Sequence, residues 1–600
     1  MRGPNLLVVA SAAAAASNAW YACPLKTIAP GETASADNAM VECADLVVPL
    51  CYPGVCTSSL EISVFVKRIP AISKSAATPQ AVWMLQGGPG ESSVNMEDLM
   101  AEVYLSANRA VSVYTMDHRG TGRSTPLSCE ENNNPYDPRV TVACIQKIKQ
   151  TFGSVAPTAF SVTSAAHDLA NVINLVLSTT EVFVYGLSYG TYLVERLMHL
   201  APAGIKGYIL DSIQSEQFYP TKDSPWYSNW DHDVATPVRT YLSYCDKDSY
   251  CASKIGPNAT AYVQGLYALI DNPATTSATS ACAAILRQVP GYQTHPSWLV
   301  NSFLYTMFKD YNQRNLVPAF LYCLNRCNTA DQAVVTNSID LLFNVTSDTQ
   351  LLQGVGASLT GTGHSTVVYN NIVLSEIWQL PSPSVGQMTT WFQDALFGAQ
   401  NPATLNDTLA QYCIYLGHND PICASFSNYN VNFVYAHDAF WNKTATLPPG
   451  TSVLMFTGDL DPATPIKYAK DEYATMVGGQ KLLLEFAFAP HVILSQSPTN
   501  AGIDCGTQVL TSFLLGHGNL ATLNTDCITQ VQKLNWTTVL DPDMATKLFG
   551  TAKDIYGPGA AGPNPAGASS SGGNAASNGS ANFARATLGV LVVLLLLVSV

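Results

Sequence analysis

A strand-to-helix junction at residues 182–200 constrains this 600-residue chain more than any other feature. Val182–Tyr185 is an unbroken run of β-branched and aromatic residues, which predicts a buried strand. The pattern G-L-S-Y-G at 186–190 follows at once and leads into an apolar helical run. Glycine on both sides of a serine permits a turn in which backbone segments pass very close together. The junction therefore predicts that Ser188 is held with its hydroxyl exposed at the carboxyl end of a strand.

Predicted strands and helices alternate on both sides of this junction. Such alternation is typical of a mostly parallel sheet with helices on both faces. A serine on a strand-turn-helix of this kind is the nucleophile elbow of the α/β-hydrolase fold. We therefore expect an α/β protein with the α/β-hydrolase fold. Strands are predicted at 81–85, 111–116, 182–185, 206–211, 451–456 and 481–488, and helices at 164–178, 465–476 and 506–515.

One long interruption divides the alternating pattern. The alternation is lost at residues 213–449, a stretch far too long for a loop in a compact domain. Several helical segments occur within it, which indicates an inserted cap domain. The hydrolase domain is then split into an N-terminal part at 20–212 and a C-terminal part at 450–555.

The two ends of the chain have the composition of processing and anchoring segments. Residues 1–19 combine an arginine, an apolar run and small residues, which predicts a signal peptide. Residues 556–586 are rich in Gly, Ala, Ser and Asn and predict a stalk. The hydrophobic tail at 587–600 is short for a membrane span, which favours a glycosylphosphatidylinositol (GPI) signal over a retained tail. We expect a secreted or cell-surface protein that reaches the membrane only through a lipid anchor.

The cysteines agree with a secretory route. The chain has 15 cysteines, and a secreted protein of this kind is expected to contain disulfides. Sequence does not fix their pairing, and the odd count leaves one thiol over. The pairs that are near enough in sequence to close small loops are Cys51 with Cys56, Cys245 with Cys251, and Cys413 with Cys423.

Charge and composition exclude several classes of function. A net charge of −14 without basic runs makes nucleic acid an unexpected partner. No spacing of Cys and His indicates zinc, so we expect neither a metal nor another cofactor. N-glycosylation is predicted at Asn258, Asn344, Asn406, Asn442 and Asn535, and a sixth sequon lies at Asn578.

A catalytic triad can be assigned from chain order. In this fold the nucleophile, the acid and the histidine follow one another, each after a strand. Ser188, Asp461 and His491 satisfy that order. Asp461 would orient the imidazole, while His491 takes the serine proton and gives it to the leaving group. The backbone N–H groups of Gly88 and Tyr189 are the expected oxyanion donors.

Three other residues compete for these roles. Asp459 also lies just past the strand end and is the alternative acid. His517 lies beyond the closing helix rather than a strand, which disfavours it as the base. His118 precedes the serine and so falls in the wrong half of the chain order.

Four motifs in order resemble the proline iminopeptidase and tripeptidyl aminopeptidase group of serine exopeptidases, most closely its secreted tripeptidyl aminopeptidase-like branch. They are QGGPG at 86–90, DHRGTGRS at 117–124, GLSYGTY at 186–192 and GDLDPATP at 458–465. The last motif favours Asp461 over Asp459 as the acid. Gln86 replaces the histidine that opens the first motif in proline iminopeptidases, which points away from strict proline specificity. Pro490 and Val492 replace the glycines that usually flank the histidine.

The resemblance also implies how a substrate is held. Enzymes of this group use cap carboxylates to bind the free α-amine of a peptide. Residues 213–449 contain two glutamates, Glu216 and Glu376, and these are the expected amine ligands. The expected partners are therefore peptides with a free N-terminus.

The leading hypothesis is a secreted or cell-surface serine aminopeptidase. A carboxylester hydrolase on the same scaffold is the alternative enzyme, because a triad does not distinguish amides from esters. An inactive binding protein with a hydrolase fold is a third hypothesis, which the intact Ser188, Asp461 and His491 disfavour.

Overall fold

The computed structural model describes residues 20–27, 35–36, 38–73, 79–128, 137–176, 180–220, 223–343 and 363–557. The predicted signal peptide, nearly all of the predicted stalk, the hydrophobic tail, Asn344 and Asn578 lie outside these residues. No helix within the described ranges is long and apolar enough to cross a membrane.

A nine-stranded sheet forms the centre of the molecule, and its strand order is β1-β4-β5-β7-β6-β8-β9-β10-β11. The strands from β7 to β11 in this order are parallel, whereas β1, β4 and β5 add antiparallel to one edge. Strands β2 and β3 form a separate hairpin. The strands are β1 Tyr21–Ala22, β2 Ser35–Ala36, β3 Ala39–Met40, β4 Glu42–Pro49, β5 Glu61–Ile69, β6 Gln80–Leu85, β7 Val111–Met116, β8 Glu181–Leu187, β9 Ile205–Asp211, β10 Ser452–Gly458 and β11 Lys481–Phe486.

Helices pack around this sheet and also build the long insertion. In chain order they are α1 Glu97–Ser106, α2 Pro138–Phe152, α3 Ala156–Ala159, α4 Val162–Val176, α5 Tyr189–Leu200, α6 Trp230–Lys247, α7 Ser249–Ile255, α8 Ala259–Asp271, α9 Ser280–Leu286, α10 Ser297–Lys309, α11 Val317–Arg326, α12 Thr329–Phe343, α13 Thr366–Ile372, α14 Val385–Ala395, α15 Pro402–Tyr415, α16 Ile466–Thr475, α17 Cys505–Leu515 and α18 Pro542–Phe549. All the strands and helices expected from sequence are present, with bounds that differ by two residues or fewer.

The sheet is buried on both faces, which explains why its central strands are continuously apolar. Successive side chains of β6 point to opposite faces. Trp83 packs into the core beneath α4 and α5, while Val82 and Met84 pack into the core beneath α1 and α17. The chain adds β7 on one side of β6 and β8 on the other, so the carboxyl ends of β6 and β8 flank a topological switch point.

The long insertion between β9 and β10 is helical in its described parts. It contains α6 to α15 and no strand in the ranges described between residues 213 and 449. It contacts the loop after β6 directly, because the Ser365 amide donates to the Gly90 carbonyl oxygen at 2.8 Å. The insertion therefore reaches the carboxyl edge of the sheet.

Disulfides connect neighbouring segments in both parts of the chain. All three pairs that sequence proximity suggested are present, together with three others, and Cys144 is also disulfide-bonded. Cys323 is a free, buried thiol. The bonds described are Cys23–Cys43, Cys51–Cys56, Cys245–Cys251, Cys282–Cys327, Cys413–Cys423 and Cys505–Cys527.

Candidate active site

Ser188 occupies the turn between β8 and α5. Its backbone has φ 55° and ψ −125°, a combination that residues with a Cβ rarely adopt. The flanking glycines leave no room for side chains. A Cβ at Gly186 would lie 2.3 Å from the Gly190 carbonyl oxygen, and a Cβ at Gly190 would lie 2.7 Å from the Leu85 carbonyl oxygen. The G-x-S-x-G pattern is therefore required by backbone packing at this turn.

Asp461 and His491 form a buried pair. Nδ1 of His491 lies 2.9 Å from Oδ1 and 2.8 Å from Oδ2 of Asp461. Oδ1 also accepts from the amides of Ala463 and Thr464, both at 2.8 Å, and Oδ2 accepts from the Thr464 hydroxyl at 2.7 Å. With Nδ1 held by the carboxylate, Nε2 is the nitrogen left for proton transfer, and it has no hydrogen-bond partner in the described structure.

One residue ties the serine turn to the histidine loop. Asp211, at the end of β9, accepts the Ser188 amide on its backbone oxygen at 2.9 Å. Its carboxylate accepts the amides of Ile493 at 3.0 Å and Leu494 at 2.9 Å, directly after His491. The neighbouring Ser212 hydroxyl accepts the Val492 amide at 2.9 Å. Sequence reasoning missed Asp211, although its place at the end of a strand next to the elbow strand was a usable signal.

The Ser188 hydroxyl forms no hydrogen bond with His491 or any other described residue. Catalytic hydrogen bonds are often long in ligand-free enzymes and shorten when the substrate binds. Since Asp211 and Ser212 anchor both loops, the serine and the imidazole lie at the same edge of the sheet. The geometry is compatible with a triad of Ser188, Asp461 and His491.

The loop at 86–90 packs against the serine. A Cβ at Gly87 would lie 2.8 Å from the Ser188 Cβ and 3.4 Å from its Oγ. The Gly88 carbonyl oxygen accepts from the Tyr227 hydroxyl at 3.1 Å. The amides of Gly88 and Tyr189 donate to no acceptor among the residues described, so both remain available for an oxyanion. Their role as oxyanion donors stays a prediction.

The competing residues have other contacts. Asp459 accepts from the Tyr244 hydroxyl and the Phe488 amide. His517 contacts Glu181 at 2.6 Å, at the amino end of β8 and so at the opposite edge of the sheet. Nδ1 of His118 donates to the Arg119 carbonyl oxygen, and burial lowers the pKa of this imidazole to about 4. None of the three pairs as a base or acid with Ser188 or His491.

Glu376 is bound to protein groups on both carboxylate oxygens. Oε2 lies 2.7 Å from Arg196 Nη2 and also accepts from the Tyr192 hydroxyl at 2.7 Å, while Oε1 accepts from the Tyr435 hydroxyl at 2.7 Å. Arg196 belongs to α5, so this ion pair connects the insertion to the nucleophile helix. The structure therefore does not support the expectation that Glu376 binds a substrate amine, because the buried Arg196 guanidinium already neutralises its charge.

Glu216 lies in a group of buried carboxyls. Its Oε1 is 2.7 Å from His199 Nε2, and its Oε2 has no partner among the described residues. Burial raises its pKa well above the usual range, and the Glu376 charge adds to this effect. Glu376 is thus already paired within the protein, while the role of Glu216 as an amine ligand stays a prediction.

Four predicted glycosylation sites and one group of ligand-type side chains lie outside the catalytic edge. Asn258, Asn406, Asn442 and Asn535 are exposed, and their glycosylation stays a prediction. One set of ligand-type side chains converges within the described residues, namely Asp223, His232 and Asp233. The Lys467 ammonium bonds to both aspartates, at 2.9 and 2.7 Å, so we interpret this set as an ion-pair network.

Comparison with known proteins supports the same fold. Residues 80–248 match the family described as alpha/beta hydrolase fold. The chain is 25% identical over 216 residues to a tripeptidyl aminopeptidase of Streptomyces lividans, a match that covers 32% of this chain and 39% of that protein. A tripeptidyl aminopeptidase of Streptomyces coelicolor matches equally well, over 38% of its length. The chain thus aligns with about two fifths of these curated relatives.

Two solved structures resemble the chain more distantly. The proline iminopeptidase of Mycobacterium smegmatis is 12% identical with a TM-score of 0.29, covering 79% of this chain and 99% of that one. An esterase from Exiguobacterium antarcticum is 12% identical with a TM-score of 0.27, covering 76% and 96%. These values are too low to bear on function. The sheet topology, the serine turn and the family match together show that the chain has the α/β-hydrolase fold, with a large helical insertion.

Proposed function

We propose that this protein is a serine aminopeptidase that hydrolyses peptide bonds near free N-termini. The observation that carries the proposal is the Asp461–His491 pair at the same sheet edge as Ser188 on its tight turn. Similarity to tripeptidyl aminopeptidases and the four motifs support a peptide rather than another acyl substrate. The contact of the insertion with the loop after β6 supports an exopeptidase, because helices beside the catalytic edge would hinder the entry of long or folded chains.

In the proposed mechanism Ser188 Oγ attacks the scissile carbonyl carbon. His491 Nε2 accepts the serine proton, and Asp461 stabilises the resulting imidazolium through Nδ1. The Gly88 and Tyr189 amides stabilise the negative oxygen of the tetrahedral intermediate. The imidazolium then protonates the leaving amine, and water repeats the sequence to release the acyl group as a carboxylate.

Two measurements test this proposal. A fluorophosphonate probe should label the wild-type protein and fail to label Ser188→Ala. Peptides with a free N-terminus should be cut near that end, and N-acetylation of these peptides should lower kcat/KM by roughly 10²-fold or more. Equal turnover of both forms would favour a carboxylester hydrolase or an endopeptidase instead.

We also propose that the protein is held at the cell surface by a GPI anchor. The disulfides support folding in an oxidising compartment, and the composition of residues 556–600 supports the anchor. Phosphatidylinositol-specific phospholipase C should release the enzyme from intact cells. Recovery of the peptide Leu588–Val600 from membrane-bound protein by mass spectrometry would show that the tail is retained.

A further inference from the structure

The loop at 86–90 places an expected oxyanion donor in a backbone conformation that glycine alone adopts easily. Gly88 has φ 109° and Gly90 has φ 97°, a region that is open to glycine because it has no Cβ. A Cβ at Gly88 would also lie 3.0 Å from the Gly90 nitrogen, so a side chain there would be crowded. The lack of a side chain leaves the peptide units on both sides of Gly88 free to rotate. The direction of the Gly88 amide therefore depends on contacts from other residues.

The insertion supplies such contacts at two points of this loop. The Tyr227 hydroxyl donates to the Gly88 carbonyl oxygen at 3.1 Å, and the Ser365 amide donates to that of Gly90 at 2.8 Å. The amide and the carbonyl of Gly88 flank one α-carbon, so a bond that fixes the carbonyl also restricts the amide. The loop packs against Ser188 through Gly87. Residues of the insertion thus hold the loop that lies beside the nucleophile.

Tyr227 is itself firmly held within the insertion. Its side chain is 5% exposed, and its ring lies 5.3 Å from the Trp230 ring and 6.3 Å from the Tyr369 ring. Its backbone carbonyl accepts a hydrogen bond from Gln400 Nε2 at 2.9 Å. Burial raises the pKa of the Tyr227 hydroxyl, so this group keeps its proton and remains a donor. A hydroxyl on a packed ring can hold a carbonyl oxygen in one position throughout a reaction.

We propose that Tyr227 is a positioning residue for the oxyanion step, acting through its hydrogen bond to the Gly88 carbonyl oxygen. The inference rests on the proposed function, because it concerns the negative oxygen that forms when Ser188 attacks the substrate. Donors that are fixed before the reaction stabilise that oxygen best, since they need not reorient. Because its single hydroxyl hydrogen is engaged by Gly88, Tyr227 acts through the loop rather than on the substrate. The insertion thus contributes to catalysis as well as to access.

The test compares Tyr227→Phe with Tyr241→Phe, a matched control in α6. Both tyrosines are buried and both donate to a backbone carbonyl oxygen, but Tyr241 donates to that of Arg314, within the insertion. Each purified full-length protein is assayed on a peptide with a free N-terminus. For Tyr227→Phe we expect kcat to fall roughly 10- to 10²-fold with KM unchanged, since acylation and deacylation both pass through an oxyanion. Tyr241→Phe should keep the wild-type kcat.

Two inhibitors separate the oxyanion step from substrate binding. In the aldehyde derived from the released peptide fragment, Ser188 Oγ adds to the carbonyl carbon and the carbonyl oxygen enters the oxyanion site. The corresponding alcohol binds without forming this bond. Tyr227→Phe should bind the aldehyde more weakly by about the factor by which kcat falls, and should bind the alcohol as the wild type does. A purely structural role of Tyr227 would weaken the binding of both inhibitors.

Other results would overturn the inference. If Tyr227→Phe raises KM or weakens both inhibitors alike, Tyr227 binds the substrate or only stabilises the fold. If it matches Tyr241→Phe in kcat and in aldehyde affinity, the hydroxyl is not needed, while the proposed function stands. If the wild type neither cleaves the peptide nor binds the aldehyde more tightly than the alcohol, the proposed function fails as well.

A second variant covers the case in which Tyr227→Phe does not fold. Replacement of Tyr227 by 4-aminophenylalanine keeps a hydrogen-bond donor at the same place on the ring. A wild-type kcat in this variant would support the hydrogen bond to Gly88 as the cause. A kcat as low as that expected of Tyr227→Phe would reject it.

Discussion

Helix α5 borders two buried acidic sites that differ in how many hydrogen bonds their carboxyls accept. At its N-terminal end, Asp461 accepts three hydrogen bonds from its own loop in addition to contacting His491. Seven residues after the serine, Glu195 faces Glu216 and Glu472, and neither of its oxygens has a hydrogen-bond partner among the described residues. All of these carboxyls are buried. Burial alone therefore does not set the pKa of a carboxyl. The number of hydrogen-bond donors that it meets also matters.

The consequences for charge follow from the neighbours of each group. Burial raises the pKa of Glu195 well above the usual range, and the charges of Glu472 and Glu216 raise it further. Burial, followed by the charge of Glu216, raises the pKa of Glu472 to about 8. The Glu216 amide points toward Glu195 without reaching hydrogen-bond geometry, so it only reduces this effect. We call Glu195, Glu216 and Glu472 the carboxyl cluster.

The largest expected effect is at the N-terminal end of α5. Ser188→Ala should lower kcat by roughly 10⁶-fold, because no other described group can form the acyl-enzyme. Thermal stability should be unchanged, since the side chain is small and forms no hydrogen bond. Ser253→Ala, at an exposed position, serves as the control for both measurements. Substantial residual peptidase activity in Ser188→Ala would remove the serine from the mechanism.

The second prediction separates the two aspartates of the loop after β10. Asp461→Asn should lower kcat by about 10⁴-fold, because an amide cannot hold the imidazole in the productive tautomer. Asp459→Asn should change kcat by only a few-fold, since Asp459 contacts Tyr244 and Phe488 rather than His491. The reverse ranking would mean that the acid has been assigned two residues too late.

The third prediction uses a pair of helical glycines. A Cβ at Gly190 would collide with backbone oxygens, 2.7 Å from that of Leu85 and 3.0 Å from that of Gln86. Gly190→Ala should therefore destabilise the fold by several kcal/mol, as measured by denaturant unfolding. At Gly265 in α8 an added Cβ would meet nothing within 4 Å, so Gly265→Ala should stabilise by about 0.5–1 kcal/mol. Equal changes in the free energy of unfolding for Gly190→Ala and Gly265→Ala would contradict the tight packing of the serine turn.

Much of the catalytic edge could be predicted from sequence because its signals are local. The strand before Ser188, the flanking glycines and the turn at 458–465 are contiguous patterns whose steric requirements are fixed by a few neighbouring residues. Only the choice of Asp461 over Asp459 as the acid depended on the spacing of the family motif at 458–465. The Asp461–His491 contact then agrees with that choice.

The surroundings of α5 could not be predicted in this way. Glu195 and Arg196 are charged, and helical periodicity would place such residues toward solvent. The insertion instead covers this helix, and Glu376, 180 residues later in the chain, supplies the partner of Arg196. Which acidic group is already paired depends on such distant contacts, and for this reason the sequence could not show that Glu376 is bound to Arg196.

The fourth prediction concerns stability against pH. Glu472 has a folded pKa of about 8 and an ordinary value of 4.5, so between these values the folded state binds more protons than the unfolded state. The contribution of Glu472 to the free energy of unfolding therefore falls as pH rises. His118 and His199, whose pKa values are lowered to about 4, act in the opposite direction below their ordinary 6.5. Above 6.5 these two imidazoles no longer oppose the carboxyls, and the hydrogen bond to Asp233, which raises the pKa of His232, adds to the fall. Between pH 6.5 and about 8 stability should therefore drop by on the order of 2 kcal/mol. A Tm several degrees lower at pH 8.5 than at pH 6.5 would show this.

The last prediction asks whether the carboxyl cluster causes that drop, since burial also raises the pKa of Asp231 to about 7. Glu216→Gln keeps the shape of the side chain but removes the acid whose charge raises the pKa of Glu472, which should ionise more easily as a result. The Tm difference between pH 6.5 and 8.5 should shrink, with a gain of about 1 kcal/mol at the higher pH. Exposed Glu61→Gln should leave the difference intact. An unchanged difference in Glu216→Gln would assign the effect to Asp231 or His232 and end the contrast between the two sites along α5.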